Sequence, residues 1–464
     1  MSPTFYLKTL TVAVAALSAA GMANAAGLDR SGQDVTAFFQ DGLYAETAYT
    51  YIDADVTGKD VNGNQIDDIA EEYDFFRYGV KADINDTFSI GILYDEPFGA
   101  AADYGGSNNF VTNSSADALI QGITGNAAVN QSNIGATIAG LQGALASGNP
   151  GNLTAAQLQA AQASLIGLQA AQGVANTAGE GTNVEVRSEN VTAIMGAKFG
   201  ANKNFQIYGG PVAQRIQTDV KLRGTAYGPA TGYTAHVSPD QEYGYIAGIA
   251  YSKPEIALKA ALTYRSEIEH NTNLFENYPL ATAGSGGTIP TGREGTIGIT
   301  TPQSVNFDFQ TGLNPTTLAT AKVRWVPWGD FAIVPPLYNE VSKLNPLYRP
   351  DGLPLVSYDD DQWQVEVGVA KRLTPAFAVN GTVGWDSGAG NPTTSLGPIE
   401  GYYSVGLGAK LNVTENWAVS AGGKYLWFGD ANGQIPSRDV VSDFQDNEGY
   451  ILGVKLSYQA KQGF

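Results

Sequence analysis

Between Arg77 and Pro97 apolar and polar residues alternate on both sides of a short break, Asn85-Asp86-Thr87. Phe76, Tyr78, Val80, Ala82 and Ile84 share one parity before it, and Phe88, Ile90, Ile92 and Tyr94 share one after it. Period-two alternation marks half-buried strands joined by a tight turn. The pattern recurs to the C-terminus. It predicts strands over 43–54, 73–84, 88–94, 184–199, 205–220, 243–251, 256–268, 304–313, 317–325, 361–373, 376–385, 401–411, 417–427 and 448–458.

The connections alternate as well. Tight turns rich in Asn, Pro and Gly ("NDT", "GANKN", "SKPE", "NPT", "TPA", "NVTEN") alternate with long loops at 55–72, 95–183, 221–242, 269–303, 326–360, 386–400 and 428–447. Short turns on one rim and long loops on the other are what a transmembrane barrel shows. Strands can cross hydrocarbon only where every backbone group is paired, so the apolar face is expected to touch lipid and the sheet to close. The expected fold is an all-β, 14-stranded antiparallel transmembrane β-barrel. Tyr403, Trp417, Tyr425 and Trp427 fall near strand ends, where amphipathic rings suit a membrane interface. The last strand carries Tyr450, Leu452, Val454, Leu456 and Tyr458 on one face, and the chain ends on Phe464.

The 95–183 insertion breaks the alternation. Ile134, Ile138, Leu141 and Leu145 recur at helical spacing, as do Leu158, Ala161, Leu165 and Leu168. Thr154 with Gln157 forms a capping box, Leu153 is placed to staple onto Leu158, and Asn149-Pro150-Gly151 separates the two segments. A helical hairpin on an outer loop must bury its stripe against itself, the barrel mouth or a ligand. Leu158, Leu165 and Leu168 are the candidates for an extracellular apolar groove.

Composition narrows the functions. The chain has 56 Gly, 24 Tyr and 6 Trp with a mean hydropathy of -0.13, and no 18-residue apolar run follows the N-terminus. Without cysteine there is neither a disulfide frame nor a thiolate site, and His236 and His270 are the only histidines. A net charge of -19 opposes nucleic-acid binding. Lys8, the apolar run from Leu10 to Met22 and Ala23-Asn24-Ala25 read as a signal peptide over 1–25, so the protein is expected to be exported. Asp60, Asn62, Asn64 and Glu71 have calcium-loop spacing, but Gln65 stands where that loop needs Gly, so no metal is expected. No serine partners either histidine in a recognisable signature, so no enzyme, catalytic residue or cofactor is expected. Gly209-Gly210-Pro211 sits where apolar parity changes from Phe205 and Ile207 to Val212, Ile216 and Val220, which predicts a bulge.

The run Leu262-Thr263-Tyr264-Arg265-Ser266-Glu267 resembles a strand end of the FadL-type outer-membrane transporters of long-chain fatty acids and other hydrophobic compounds. Thr301-Pro302 through Trp325-Val326-Pro327-Trp328, "VGWDSG" at 383–388 and "GYYSVGLGAKLNVTENWAVSAGGKY" at 401–425 are similar to the family in the same order. The resemblance implies a barrel over 43–464 plugged by residues 26–42, though this segment lacks the Asn-Pro-Ala signature of the family's plug. It implies capture of a long-chain fatty acid or other hydrophobic molecule at an outer groove, passage inside, and exit through a gap in the wall, expected near Asp95-Glu96-Pro97-Phe98-Gly99. The expected setting is the bacterial outer membrane, as a monomer among lipid and lipopolysaccharide. A general diffusion porin or structural barrel would share the strand pattern.

Parity then nominates interior charges. With Leu258, Leu262 and Tyr264 toward lipid, Lys259, Arg265 and Glu267 are expected to point inward; with Ala321, Val323 and Trp325 outward, so are Lys322 and Arg324. A carboxylate entering a partly desolvated lumen needs a cationic partner, which makes Arg265, Lys322 and Arg324 the candidates. Pairing of these cations with lumenal acids such as Glu267 or Glu366 is the alternative.

Overall fold

The structure is a computed structural model and describes residues 28–106, 108, 110–112, 115–147 and 154–460. The expected signal peptide at 1–25, the Asn149-Pro150-Gly151 break, the Leu153 staple and the terminal Phe464 lie outside these residues.

The barrel strands are β1 Leu43–Asp55, β2 Tyr73–Asp83, β3 Phe88–Asp95 resuming as Gly99–Asp103, β4 Asn183–Phe199, β5 Phe205–Lys221, β6 Thr234–Lys253 and β7 Leu258–Arg265 resuming as Ile268–Asn277. They continue as β8 Gly292–Thr301 resuming as Ser304–Asn314, β9 Thr317–Val326, β10 Gln362–Arg372, β11 Phe377–Asp386, β12 Tyr402–Asn412, β13 Trp417–Phe428 and β14 Glu448–Ala460. These 14 strands are antiparallel, and β1 closes the barrel by pairing with both β2 and β14. The outward residues are apolar and bare, with Val80 53%, Met195 62% and Leu407 69% exposed. On a soluble protein such a belt would be an aggregation surface; on a closed barrel it faces lipid.

Several strands run further than their outward apolar residues suggest. β6 starts at Thr234, β7 continues to Asn277, β8 begins at Gly292 and β3 reaches Asp103, all in stretches read from sequence as loop. Beyond the membrane the outward face meets water and the inward face packs under the loops, so the apolar parity inverts. Ile268, Leu274, Ile297 and Ile299 are buried while Glu269 and Asn271 are exposed. The same inversion corrects the bulge expected at Gly209-Gly210-Pro211. β5 keeps one parity and one register past β6 there, and its bulge against β6 lies between Ile216 and Thr218 instead. Its apolar residues change face because the surroundings change. Two close approaches do need glycine at this height: a Cβ on Gly209 would stand 2.7 Å from the Ile246 carbonyl oxygen, and one on Gly210 would strike the Ala193 carbonyl.

Among its described residues the insertion holds three helices, α1 Ala116–Thr124, α2 Ile134–Ala146 and α3 Ala155–Ala175, where periodicity suggested two. The Thr154–Gln157 capping box opens α3. The helices bury a common cluster of Ile120, Ile134, Ile138, Leu168 and Ala171, with Leu165 packed against it. Asp60, weighed as a calcium ligand, accepts the Asn62 and Asn64 amides at 2.8 and 2.9 Å and so organises its own turn.

Candidate functional site

The segment 28–42 lies against inward-facing residues of the barrel wall. Phe38, fully buried, lies over Gly91 and Gly196, where added Cβ atoms would stand 2.9 and 2.8 Å from its ring. Glycines in the wall therefore make the hollow that seats it. Ser304 donates to Gln33 at 2.7 Å, Asn306 to the Gly32 carbonyl at 2.8 Å, and Lys259 to the Phe39 carbonyl at 2.6 Å. Two ion pairs fix the register. Arg324 grips Asp29 through Nε and Nη2 at 2.7 and 2.8 Å, and Lys322 meets Asp34 at 2.7 Å with Arg77 at 3.8 Å on its other side. Burial alone would push the Asp34 carboxyl up, but Lys322 and Arg77 outweigh it and hold the group well below the usual carboxylate range.

The segment also enters the wall. Arg30 donates its amide to the Pro97 carbonyl at 2.7 Å and Gly99 donates to the Leu28 carbonyl at 2.8 Å, within the interruption of β3 at Glu96–Phe98. The Arg30 guanidinium lies 3.2 Å from the centroid of the Tyr73 ring.

Above this segment lies a small apolar chamber of about 20 Å3, lined among others by Leu28, Phe98, Ile216, Ile299, Trp328 and Phe331. Trp328 is fully buried, donates to Gln362 at 2.9 Å, and meets the rings of Phe98 and Phe331 at 5.7 and 5.2 Å. At the outer mouth a cavity of about 370 Å3 opens among four loops, with Tyr227, Tyr278, Tyr338, Leu344, Tyr348 and Ile435 on its walls. A short helix, α4 Pro336–Ser342, supplies Tyr338 and is held by Glu276, which accepts the Leu337 and Tyr338 amides at 2.8 and 2.9 Å and the Tyr233 hydroxyl at 2.9 Å. Mouth and chamber belong to one buried apolar cluster, running from Tyr227, Tyr278 and Tyr338 to Leu28 and Phe98.

The nominated residues divide. Arg265, Lys322 and Arg324 all point inward, and Lys322 and Arg324 share a cavity of about 30 Å3 with Lys424. Lys322 and Arg324 already hold Asp34 and Asp29, whereas Arg265 donates to Thr192 at 3.0 Å and keeps a buried Nε that has no hydrogen-bond partner among the described residues. Glu366 pairs with Lys424. Glu267, expected inward, is exposed on the outside, because β7 is interrupted at Ser266–Glu267 and its parity shifts by one there. Of the groove residues, Leu165 and Leu168 pack within the helical insertion, and Leu158 is half-buried outside that cluster. The inner end of α3 reaches the mouth, with Val174 and Pro279 both flanking Gly232. Sequence reading missed the mouth cavity because its walls come from loops more than two hundred residues apart. Its one available signal was the tyrosine content of those loops.

This architecture is that of the FadL-type barrels. The chain superposes on a FadL homologue of Pseudomonas aeruginosa with a TM-score of 0.60 at 13% identity, covering 94% of this chain and 96% of that one. The P. putida toluene transporter TodX matches with a TM-score of 0.53 at 12% identity over 90% of each chain. The Ralstonia pickettii toluene transporter TbuX gives 0.51 at 10% identity, again over 90% of each. No family model matches the sequence, and no curated protein does.

Proposed function

We propose that this protein is an outer-membrane channel for hydrophobic small molecules, with long-chain fatty acids among them. The observation that carries the reading is the unbroken apolar cluster from the mouth cavity to the chamber, set above a bore filled by residues 28–42. A general porin needs a wet, open lumen, and a greasy dead end gives it nothing. Capture begins at the tyrosine-lined mouth, flanked by the helical insertion with Leu158, Leu165 and Leu168. The solute then moves to the chamber and leaves through the wall at the β3 interruption, with residues 26–42 as the plug. A fatty acid's carboxylate is met inside by Arg265, whose unused donor sets it apart from Lys322 and Arg324. The similarity to barrels described as a FadL homologue and as toluene transporters supports the solute class.

The test is uptake of radiolabelled oleate and oleyl alcohol by cells expressing the parent or the Arg265→Met variant. The parent should take up both, and the variant should lose the acid selectively. Equal uptake of both compounds at the parent rate would remove Arg265 from the site, and no parental uptake above cells lacking the protein would remove the channel.

A further inference from the structure

Away from the apolar chamber the inner face of the wall is polar. No residue lining the chamber belongs to β11, β12, β13 or β14. Across those strands runs a row of directly opposed inward residues: Lys410 of β12 faces Ser420 of β13, and Ser420 faces Lys455 of β14. All three are buried, with Lys410 5% exposed and Ser420 and Lys455 1% exposed. Lys410 lies close to Asn412, where β12 ends in the turn 413–416, so the row sits toward the rim of short turns. That rim faces the periplasm in barrels of this kind.

Charge is unbalanced along the row. Arg77 and Lys455 share Glu46, each at 3.2 Å, and Lys424, higher on β13, holds Glu366. Glu46 also accepts the Tyr44 hydroxyl at 2.6 Å, so both its oxygens are engaged. Lys410 has no ion-pair partner among the described residues, and its direct neighbours across the strands are neutral, Ala378 on one side and Ser420 on the other. A buried ammonium without a counter-charge must lose its proton or gain an anion.

The neighbours favour the anion. Ser420 Oγ and both amide atoms of Asn380 are buried without a hydrogen-bond partner among the described residues, and Lys455 Nζ meets Glu46 as an ion pair with no aligned hydrogen bond. Buried polar groups are seldom left unpaired in folded proteins. Asn380, 4% exposed, faces Gly408 and so stands diagonal to Lys410, within reach of a long side chain. The next row up is made of glycine, with Gly408 facing Gly422 and Gly422 facing Gly453, so no side chain projects over Ser420 from there. The other close inward residues, Ala48, Ala378 and Ala418, are too small to seat an acyl chain.

We propose that the inner face of β11–β14 binds a small inorganic oxyanion of the phosphate type, drawn from the periplasm and held by Lys410 and Lys455 with Ser420 and Asn380. The donors come from four strands, which suits a tetrahedral acceptor better than a planar carboxylate. The site is independent of the reading of the protein as a channel for hydrophobic compounds, and its test uses no uptake measurement.

Inorganic phosphate is titrated calorimetrically into the purified full chain in detergent micelles at fixed ionic strength, with urea unfolding alongside. The parent should bind phosphate, and phosphate should raise its unfolding midpoint, as a ligand of the folded state does. Lys410→Met keeps the side-chain length and removes an unpaired cation, so it should fold at least as stably as the parent. It should nevertheless weaken phosphate binding by about tenfold or more, the worth of one charge-assisted contact. Ser420→Ala should weaken it by a smaller factor. Chloride at the same ionic strength should leave the midpoint where it was. No phosphate binding by the parent, an equal midpoint rise in the parent and Lys410→Met, or the same rise with chloride would each overturn the site. Octanoate bound in preference to phosphate would give the place to an amphiphile's head and overturn the inorganic anion.

Discussion

Arg324 is 2% exposed, with Asp29 on two of its nitrogens and Asn306 and Gln33 accepting from it as well. The energetic weight of such a pair lies in what the loss of one member leaves behind. Asp29→Ala strands a buried guanidinium and should destabilise the folded barrel by about 3 kcal/mol, the low end of the usual range because two neutral acceptors remain. Asp29→Leu with Arg324→Met removes both charges and should recover most of that loss. Urea unfolding in mixed micelles, followed by tryptophan fluorescence, measures the difference. A double variant no more stable than Asp29→Ala would mean that the two residues are not coupled. Parity placed Arg324 and Lys322 in the lumen, but nothing in the sequence tied them to Asp29 and Asp34, about three hundred residues away.

At the scale of elements, legibility follows the solvent. Where lipid lies outside, outward apolar alternation gives the strands to within a residue or two, as in β2, β10 and β13. Above the interface water replaces lipid, the alternation inverts, and the same reading stops short of the upper parts of β6, β7 and β8. The interruptions of β3, β7 and β8 coincide with Pro97, Ser266-Glu267 and Pro302; the sequence reading carried one strand through 256–268 and therefore put Glu267 on the wrong face. Among the loops, 387–401 carries a titratable fault. Burial, with Asp386 and Asp360 nearby, pushes Glu400 up from 4.5 to about 7, although the Gly390 and Ala389 amides oppose the shift. A carboxyl raised on folding is protonated in the folded loop while it is already charged in the unfolded one. Stability is thus greatest at acid pH and falls as pH climbs from 4.5 to about 7, then levels. Amide exchange in this loop should be slower at about pH 5 than at about pH 8, after correction for intrinsic rate, and Glu400→Gln should flatten the profile. A parent profile already flat would show that Glu400 titrates normally.

For the whole molecule, the wall and the filling of the bore are separate problems. A closed barrel of this strand number leaves a bore wider than its own inward side chains can fill, since that limit is reached at about eight strands. On the proposed reading the filling is residues 28–42, which the Asp29–Arg324 and Asp34–Lys322 pairs tie to the wall, and buried pairs of this kind are poorly screened by salt. The parent protein in a planar bilayer should therefore carry no steady open conductance, even at high ionic strength. Asp29→Asn combined with Asp34→Asn keeps the side-chain shapes but removes both anions, leaving Arg324, Lys322 and Arg77 without the negative charges that segment supplies. The segment should loosen and the bore should conduct. Because the charges left behind on the wall are cationic, the current should favour anions. A closed double variant would show that apolar seating of Phe38 and main-chain bonding at Pro97 and Gly99 hold the segment without its charges. A large steady conductance in the parent would instead mean that the bore is open in the membrane, and would return the protein to the porin reading.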